Sequence, residues 1–287
     1  MLFETQWKKY VFLFVYTLLL SSGIWAKDKD IIHFKPLTTT LNFPTNEVRK
    51  LYQDSEGYIW ISTYNGLLRY DGYSIVMYKP DGINHGRSID SFVNVVTEDE
   101  NNNLWIGTHN GLYVLYKETD GIEKIISPIL QVCNVEAILF SKNGDLWVGG
   151  NKGLFCRKAG KPSFERVQSV DVKSIIEDNR GHIWIGTWEQ GLLRYDPDKQ
   201  KYYTYLGLNP NNSSHILFQD EAENIWIGTW RYGLVKLLNA YDMEHFSFRT
   251  YRHIEGDDHS LLDNIIYSIA QDRTSKKIWI GSRSGVS

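Results

Sequence analysis

Asp178-Asn-Arg-Gly181-His-Ile-Trp184-Ile-Gly186-Thr187, followed by Gly191-Leu-Leu-Arg-Tyr195, is the fullest of six copies of one stretch in a chain of 287 residues. Its tryptophan returns at Trp60, Trp105, Trp147, Trp184, Trp226 and Trp279, at spacings of 45, 42, 37, 42 and 53 residues. A period near forty residues marks a repeat architecture. In the fourth copy, Val172-Lys-Ser-Ile-Ile-Glu177 reads as a short strand, because β-branched residues suit the pleated ladder. Asp178-Asn-Arg-Gly181 then closes a type I hairpin turn, since Asp accepts local amide bonds and Gly tolerates positive φ. His182 to Thr187 is the return strand, Leu192 to Tyr195 a third, and Tyr202 to Leu206 a fourth beyond a polar turn. Four antiparallel strands in each period of about forty residues is one blade of a β-propeller.

The return strand shows why a single open sheet does not suffice. Side chains alternate faces, so Ile183 and Ile185 point one way and Trp184 the other. Both faces are apolar and both need cover, which neighbouring blades round an axis supply. The small residue after the Trp–Ile or Trp–Val pair (Gly107, Gly149, Gly186, Gly228 and Gly281, with Ser62 in the first copy) is read as room for a neighbour's indole. No long stretch beyond the leader keeps a helical rhythm of apolar residues, so very little helix is expected.

The fold class is therefore all-β: a propeller of four-stranded antiparallel blades, with six repeats of which the last is incomplete, as in a seven-bladed ring cut short. Blade one is expected from Val48 to Lys79, and blade two from Phe92 to Ile126. Blade three runs from Val132 to Val167, blade four from Val172 to Leu206, and blade five from His215 to His253, while blade six starts near Ile265. Residues 27–47 form a lead-in whose run Ile31-Ile-His-Phe-Lys-Pro-Leu37 resembles a ring-closing strand. Residues 1–26 have the three-part layout of a secretory signal: Lys8-Lys9, an uncharged run from Tyr10, and small residues up to a cleavage point after Ala26. An uncleaved anchor is the rival, and either form sends the repeats across a membrane. The sequence reaches Ser287 within the third strand of blade six, and we expect the chain to be the front of a longer protein or an interrupted gene product.

Aromatic residues make up 14% of the chain and fit packed strands, while a net charge of -3 with mixed signs offers no footprint for nucleic acid. Cys133 and Cys156, the only cysteines, are expected as buried small hydrophobes and not as a disulfide. Asp54, Asp99, Asp178, Asp220 and Asp272 recur one per blade, too far apart to share an ion, and none lies in the alternating spacing of a calcium loop. They are read as turn caps. No metal site, cofactor or catalytic residue is expected, since neither a His-Glu-x-x-His nor a Gly-x-Ser-x-Gly motif is present.

The pattern Asp-x-x-Gly-x-[Ile/Leu]-Trp-Ile-Gly-Thr-x-x-Gly-Leu resembles the two-component regulator propeller repeat. The stretch from His33-Phe-Lys-Pro-Leu37 to Asn65-Gly-Leu-Leu-Arg-Tyr-Asp-Gly72 is similar to the usual opening of that family. The likeness covers roughly residues 31–287. Copy three departs with Ser141 for the turn Asp and Gly150 for Thr, and copies two and five lack the turn Gly. The resemblance implies the periplasmic sensor region of hybrid two-component systems common in gut Bacteroidetes. It implies an oligosaccharide or other small-molecule ligand, and a histidine kinase portion of which no motif is present here. A second copy of the chain is a further candidate partner.

Within a propeller, tips between second and third strands share one face with the loops that join blades, and such loops carry binding residues. The tip residue after the strand is Tyr64, His109, Asn151, Trp188, Trp230 and Arg283 in the six copies. Tyr64, His109, Trp188, Trp230, Arg231 and Arg283 are the candidate ligand contacts, because flat aromatics beside Arg suit sugar rings and acidic or hydroxyl-rich groups. The bland alternative is that these aromatics only fill the tips. The expected function is a non-enzymatic, periplasmic ligand-sensing propeller for a glycan-derived oligosaccharide. The alternatives are an exported propeller lyase or hydrolase, or a truncated scaffold that binds protein partners alone.

Overall fold

The computed structural model describes residues 45, 47–78, 89–90 and 92–287. The leader, nearly all of the 27–47 lead-in and most of the 81–91 loop lie outside them. Among the described residues there is no helix, and the strands group into six antiparallel sheets. Five sheets have four strands in sequential order, at residues 48–78, 93–124, 135–168, 172–205 and 216–251. The sixth, at 266–286, has three. In blade four the strands are Val172–Glu177, Ile183–Thr187, Leu192–Asp196 and Lys201–Tyr205. Each blade thus lies within a few residues of the place its tryptophan marks.

Five apolar cores join the six blades, one at each successive junction. Trp60 and Trp184 are almost fully buried, and Trp105 and Trp147 nearly so. Truncating one such indole in a packed core costs about 3–5 kcal/mol. The glycine after the tryptophan does not admit an indole, contrary to the sequence reading. A Cβ on Gly107 would meet Val135, one on Gly149 would meet Val172, and one on Gly228 would meet Ile266. What the glycine admits is the first strand of the next blade, so adjacent blades close at backbone distance.

The turn aspartates do more than cap. Asp54, Asp99, Asp178 and Asp220 each accept backbone N–H bonds from their own turn. Each also accepts the indole N–H of the tryptophan six residues on, at 2.7–2.9 Å. The turn is thereby tied to the core through a charge-assisted bond. Blade three has Ser141 instead, whose hydroxyl donates within its own turn, and Trp147 Nε1 is buried without a partner. Where the turn Gly is missing, Asn102 and Glu223 take the left-handed conformation, with φ of 63° and 62°. Cys133 and Cys156 are free and buried.

Candidate functional site

Five positions before each turn Asp, or its equivalent, stand Arg49, Asn94, Glu136, Lys173, His215 and Tyr267. The first strand of every blade is the one that touches the first strands of its neighbours, so these strands form the inner wall. In blades one, two, three, four and six the ladder skips this one residue. Val48 pairs Thr63 and Lys50 pairs Ser62, leaving Arg49 out. The same happens at Asn94, Glu136, Lys173 and Tyr267. A residue bulged from a ladder has its side chain re-aimed, and bulges are common beside sites. All six of these residues line one cavity of about 660 Å³.

A second set of residues completes the wall. Tyr64, Trp188 and Trp230 come from the tips of blades one, four and five. Trp188 and Trp230 stand edge to face, with ring centres 6.4 Å apart, and His215 lies 5.6 Å from Trp230. Tyr267 extends the aromatic wall, 5.9 Å from Trp230. This half can take the flat face of a ring.

The other half is charged. Lys173 Nζ lies 2.8 Å from Glu136 Oε1 and 3.1 Å from Asp171 Oδ1. Glu136 also accepts from Asn134, which accepts in turn from Asn94. Lys50 Nζ donates to the Glu136 carbonyl at 3.2 Å. Burial pushes the Lys50 ammonium down to about 8, against the pull of the Glu136 charge. Arg49 donates to the Tyr64 hydroxyl at 2.7 Å and its guanidinium lies over that ring. Burial, then the charges of Lys173, Lys50 and Arg49, bring His215 down to about 4, so its ring is neutral at neutral pH. His215 Nδ1 is buried with no partner. Among the described residues no three potential metal ligands gather.

Of the tip residues singled out from sequence, Tyr64, Trp188 and Trp230 meet at this cavity, and His109, Arg231 and Arg283 do not line it. His109 is exposed, with its ring 5.8 Å from Phe92. Arg231 is exposed at a φ of 84°, and Arg283 faces Asp263 with Nε 3.4 Å from Oδ2. Arg49, Lys50, Asn94, Glu136, Lys173, His215 and Tyr267 escaped the sequence reading. For all of them but Lys50 the available signal was a fixed distance ahead of the turn, which no shared side-chain chemistry advertises.

Six sheets packed by their first strands around a polar and aromatic cavity define a β-propeller with an axial pocket. The family model described as two component regulator propeller matches residues 42–65, 88–110 and 167–189, and the chain carries that repeat. Among solved structures, the extracellular domain of a hybrid two component system from B. thetaiotaomicron is similar over 88% of this chain and 41% of its own. That match has a TM-score of 0.67 and 21% identity. This chain therefore spans about two fifths of that domain. PorZ, a surface component of the type-IX secretion system of Porphyromonas gingivalis, matches at 0.64 and 18% identity over 84% of this chain and 38% of its own. Virginiamycin B lyase from Staphylococcus aureus matches at 0.65 and 15% identity, over 85% and 80%. At such identities these likenesses speak for the fold. No curated protein matches the chain.

Proposed function

We propose that this chain is the ligand-recognising propeller of an exported two-component sensor, in which a glycan-derived oligosaccharide occupies the axial cavity. One observation carries this reading. The same repeat position is bulged toward a common cavity in five of six blades, and two tryptophans from adjacent blades wall one side of it. Stacking on Trp188 and Trp230 would hold sugar rings, while Asn94, His215 and Lys173 offer hydrogen bonds to hydroxyls. The periplasm is the expected compartment, and occupancy would be passed on to a kinase portion. The site binds and does not transform its guest.

Titration calorimetry with a panel of neutral and acidic oligosaccharides tests the proposal. Binding to the native chain that disappears in the Trp188→Ala, Trp230→Ala double variant is the expected result. No heat from any sugar overturns the oligosaccharide reading, and turnover of a sugar overturns the non-enzymatic one.

A further inference from the structure

We propose that the sugar taken by the axial cavity bears an acidic substituent, a carboxylate or a sulfate ester, seated between Arg49 and Lys50 with its ring against Trp188 and Trp230. This rests on the oligosaccharide reading above and adds the charge of the ligand.

Some charges in the cavity are already answered and others are not. Lys173 is held by both Glu136 and Asp171. Arg49 and Lys50 have no carboxylate partner among the described residues: Arg49 meets a phenol, and Lys50 a main-chain carbonyl. The remaining carboxylate on the wall, Glu47, is exposed at the edge of the cavity. Two cations with no carboxylate in contact thus stand on one side of a pocket whose other side is aromatic, and the Glu136 charge reaches Lys50 only from beyond contact.

Arg49 is exposed, but Lys50 is half-buried with no carboxylate in contact, and a cation so placed is costly unless something else meets it. An anionic group meets it well, because an ionised donor and acceptor form bonds about twice as strong as neutral ones, and a guanidinium grips a carboxylate or sulfate at two points. Neutral His215 fits beside it. Its buried Nδ1 lacks a partner, and with the hydrogen on that nitrogen it would donate to an anion oxygen without adding charge. The aromatic wall supplies the face for the sugar ring that carries the acid.

The test is calorimetry on the whole chain with two matched pairs. One pair is a galacturonate trisaccharide and its methyl ester; the other is a sulfated disaccharide and its unsulfated parent. In at least one pair the acidic member should bind at least about tenfold tighter, which corresponds to about 1.4 kcal/mol. Added salt should erode the preference. Arg49→Gln and Lys50→Gln should each bring the ratio of acidic to neutral affinity, read within the same variant, down toward one. Arg49 is exposed and its replacement tests the idea even if the Lys50 variant does not fold. Which pair shows the preference tells carboxylate from sulfate. Equal affinity within both pairs would sink the acidic-ligand proposal and leave sugar recognition standing. Silence from all four would remove the oligosaccharide reading beneath it.

Discussion

The first turns of the blades and the axial cavity are built from the same six strands, yet they treat polar groups in opposite ways. At the turn of blade four, Asp178 is fully buried and its carboxylate is surrounded by donors. These are the backbone N–H groups of Arg180 and His182, the Trp184 indole, the Tyr241 hydroxyl and the His182 ring. The indole and the other bonds hold its pKa below the ordinary carboxylate value, although burial alone pushes upward. At the axis, by contrast, Lys50 and Arg49 lack an acid and His215 Nδ1 lacks any partner. Answered groups make a turn rigid; unanswered ones are a standing cost that binding can recover.

The largest expected effect falls on the answered side. Asp178→Ala leaves an indole N–H, a phenol and two backbone N–H groups facing nothing. The cost should be about 3–5 kcal/mol, in the range for breaking a buried charged network. Chemical denaturation with an unchanged slope reads it directly. Ser141→Ala is the internal control, because the equivalent turn in blade three never held an indole. It should cost less than about 1 kcal/mol. Equal losses at the two positions would mean that the carboxylate is a turn cap and nothing more.

That contrast also explains how much of the molecule the sequence made legible. The blades were readable because Trp184 and its five counterparts return with a fixed neighbourhood, and a strand with two apolar faces demands cover on both. Asp178 was readable as a turn cap from its place before Gly181, but the indole six residues on was not. That bond needs the return strand to bring Trp184 back over the turn, and spacing alone does not show its direction. The glycines were read correctly as a close approach and wrongly as to the guest, which at Gly107, Gly149 and Gly228 is a β-branched residue of the next blade. The axial residues were hidden for a sharper reason. Alternation with period two places residues on faces only while the ladder is regular. Arg49, Asn94, Glu136, Lys173 and Tyr267 sit where it breaks. Their side chains share no chemistry, so the column looks like ordinary surface variation.

A medium effect belongs to His215 and sharpens the comparison through pH. The ring stays neutral in the fold down to about pH 4, whereas in an unfolded chain it gains a proton near the ordinary value of 6.5. The native pKa is depressed, so the unfolded state binds the extra proton first. The associated stability is complete above about pH 6.5 and drains away as pH falls toward 4. A depression of this size corresponds to about 3 kcal/mol at most. His215→Gln should flatten that part of the stability profile between pH 6.5 and 4, as measured by thermal melts across the range. An unaltered profile would show that the buried ring is not what the acid limb reports.

The smallest effect has the opposite sign, and it is the one that separates the two regions most cleanly. Lys50→Met keeps the side-chain length, removes the unpaired ammonium and should raise stability by about 1 kcal/mol. The gain is modest because the Glu136 carbonyl loses its donor. It should depend on pH in a defined direction. The native lysine loses its proton near pH 8 in the fold and near 10.5 when unfolded, so its burden on folding is full below 8 and gone above 10.5. The advantage of methionine should therefore shrink as pH rises through that window. The same variant should lose its preference for acidic over neutral sugars. A variant that is both less stable and unchanged in binding would place Lys50 with the answered groups of the turns, where a charge supports the fold, and not with the open ones of the axis.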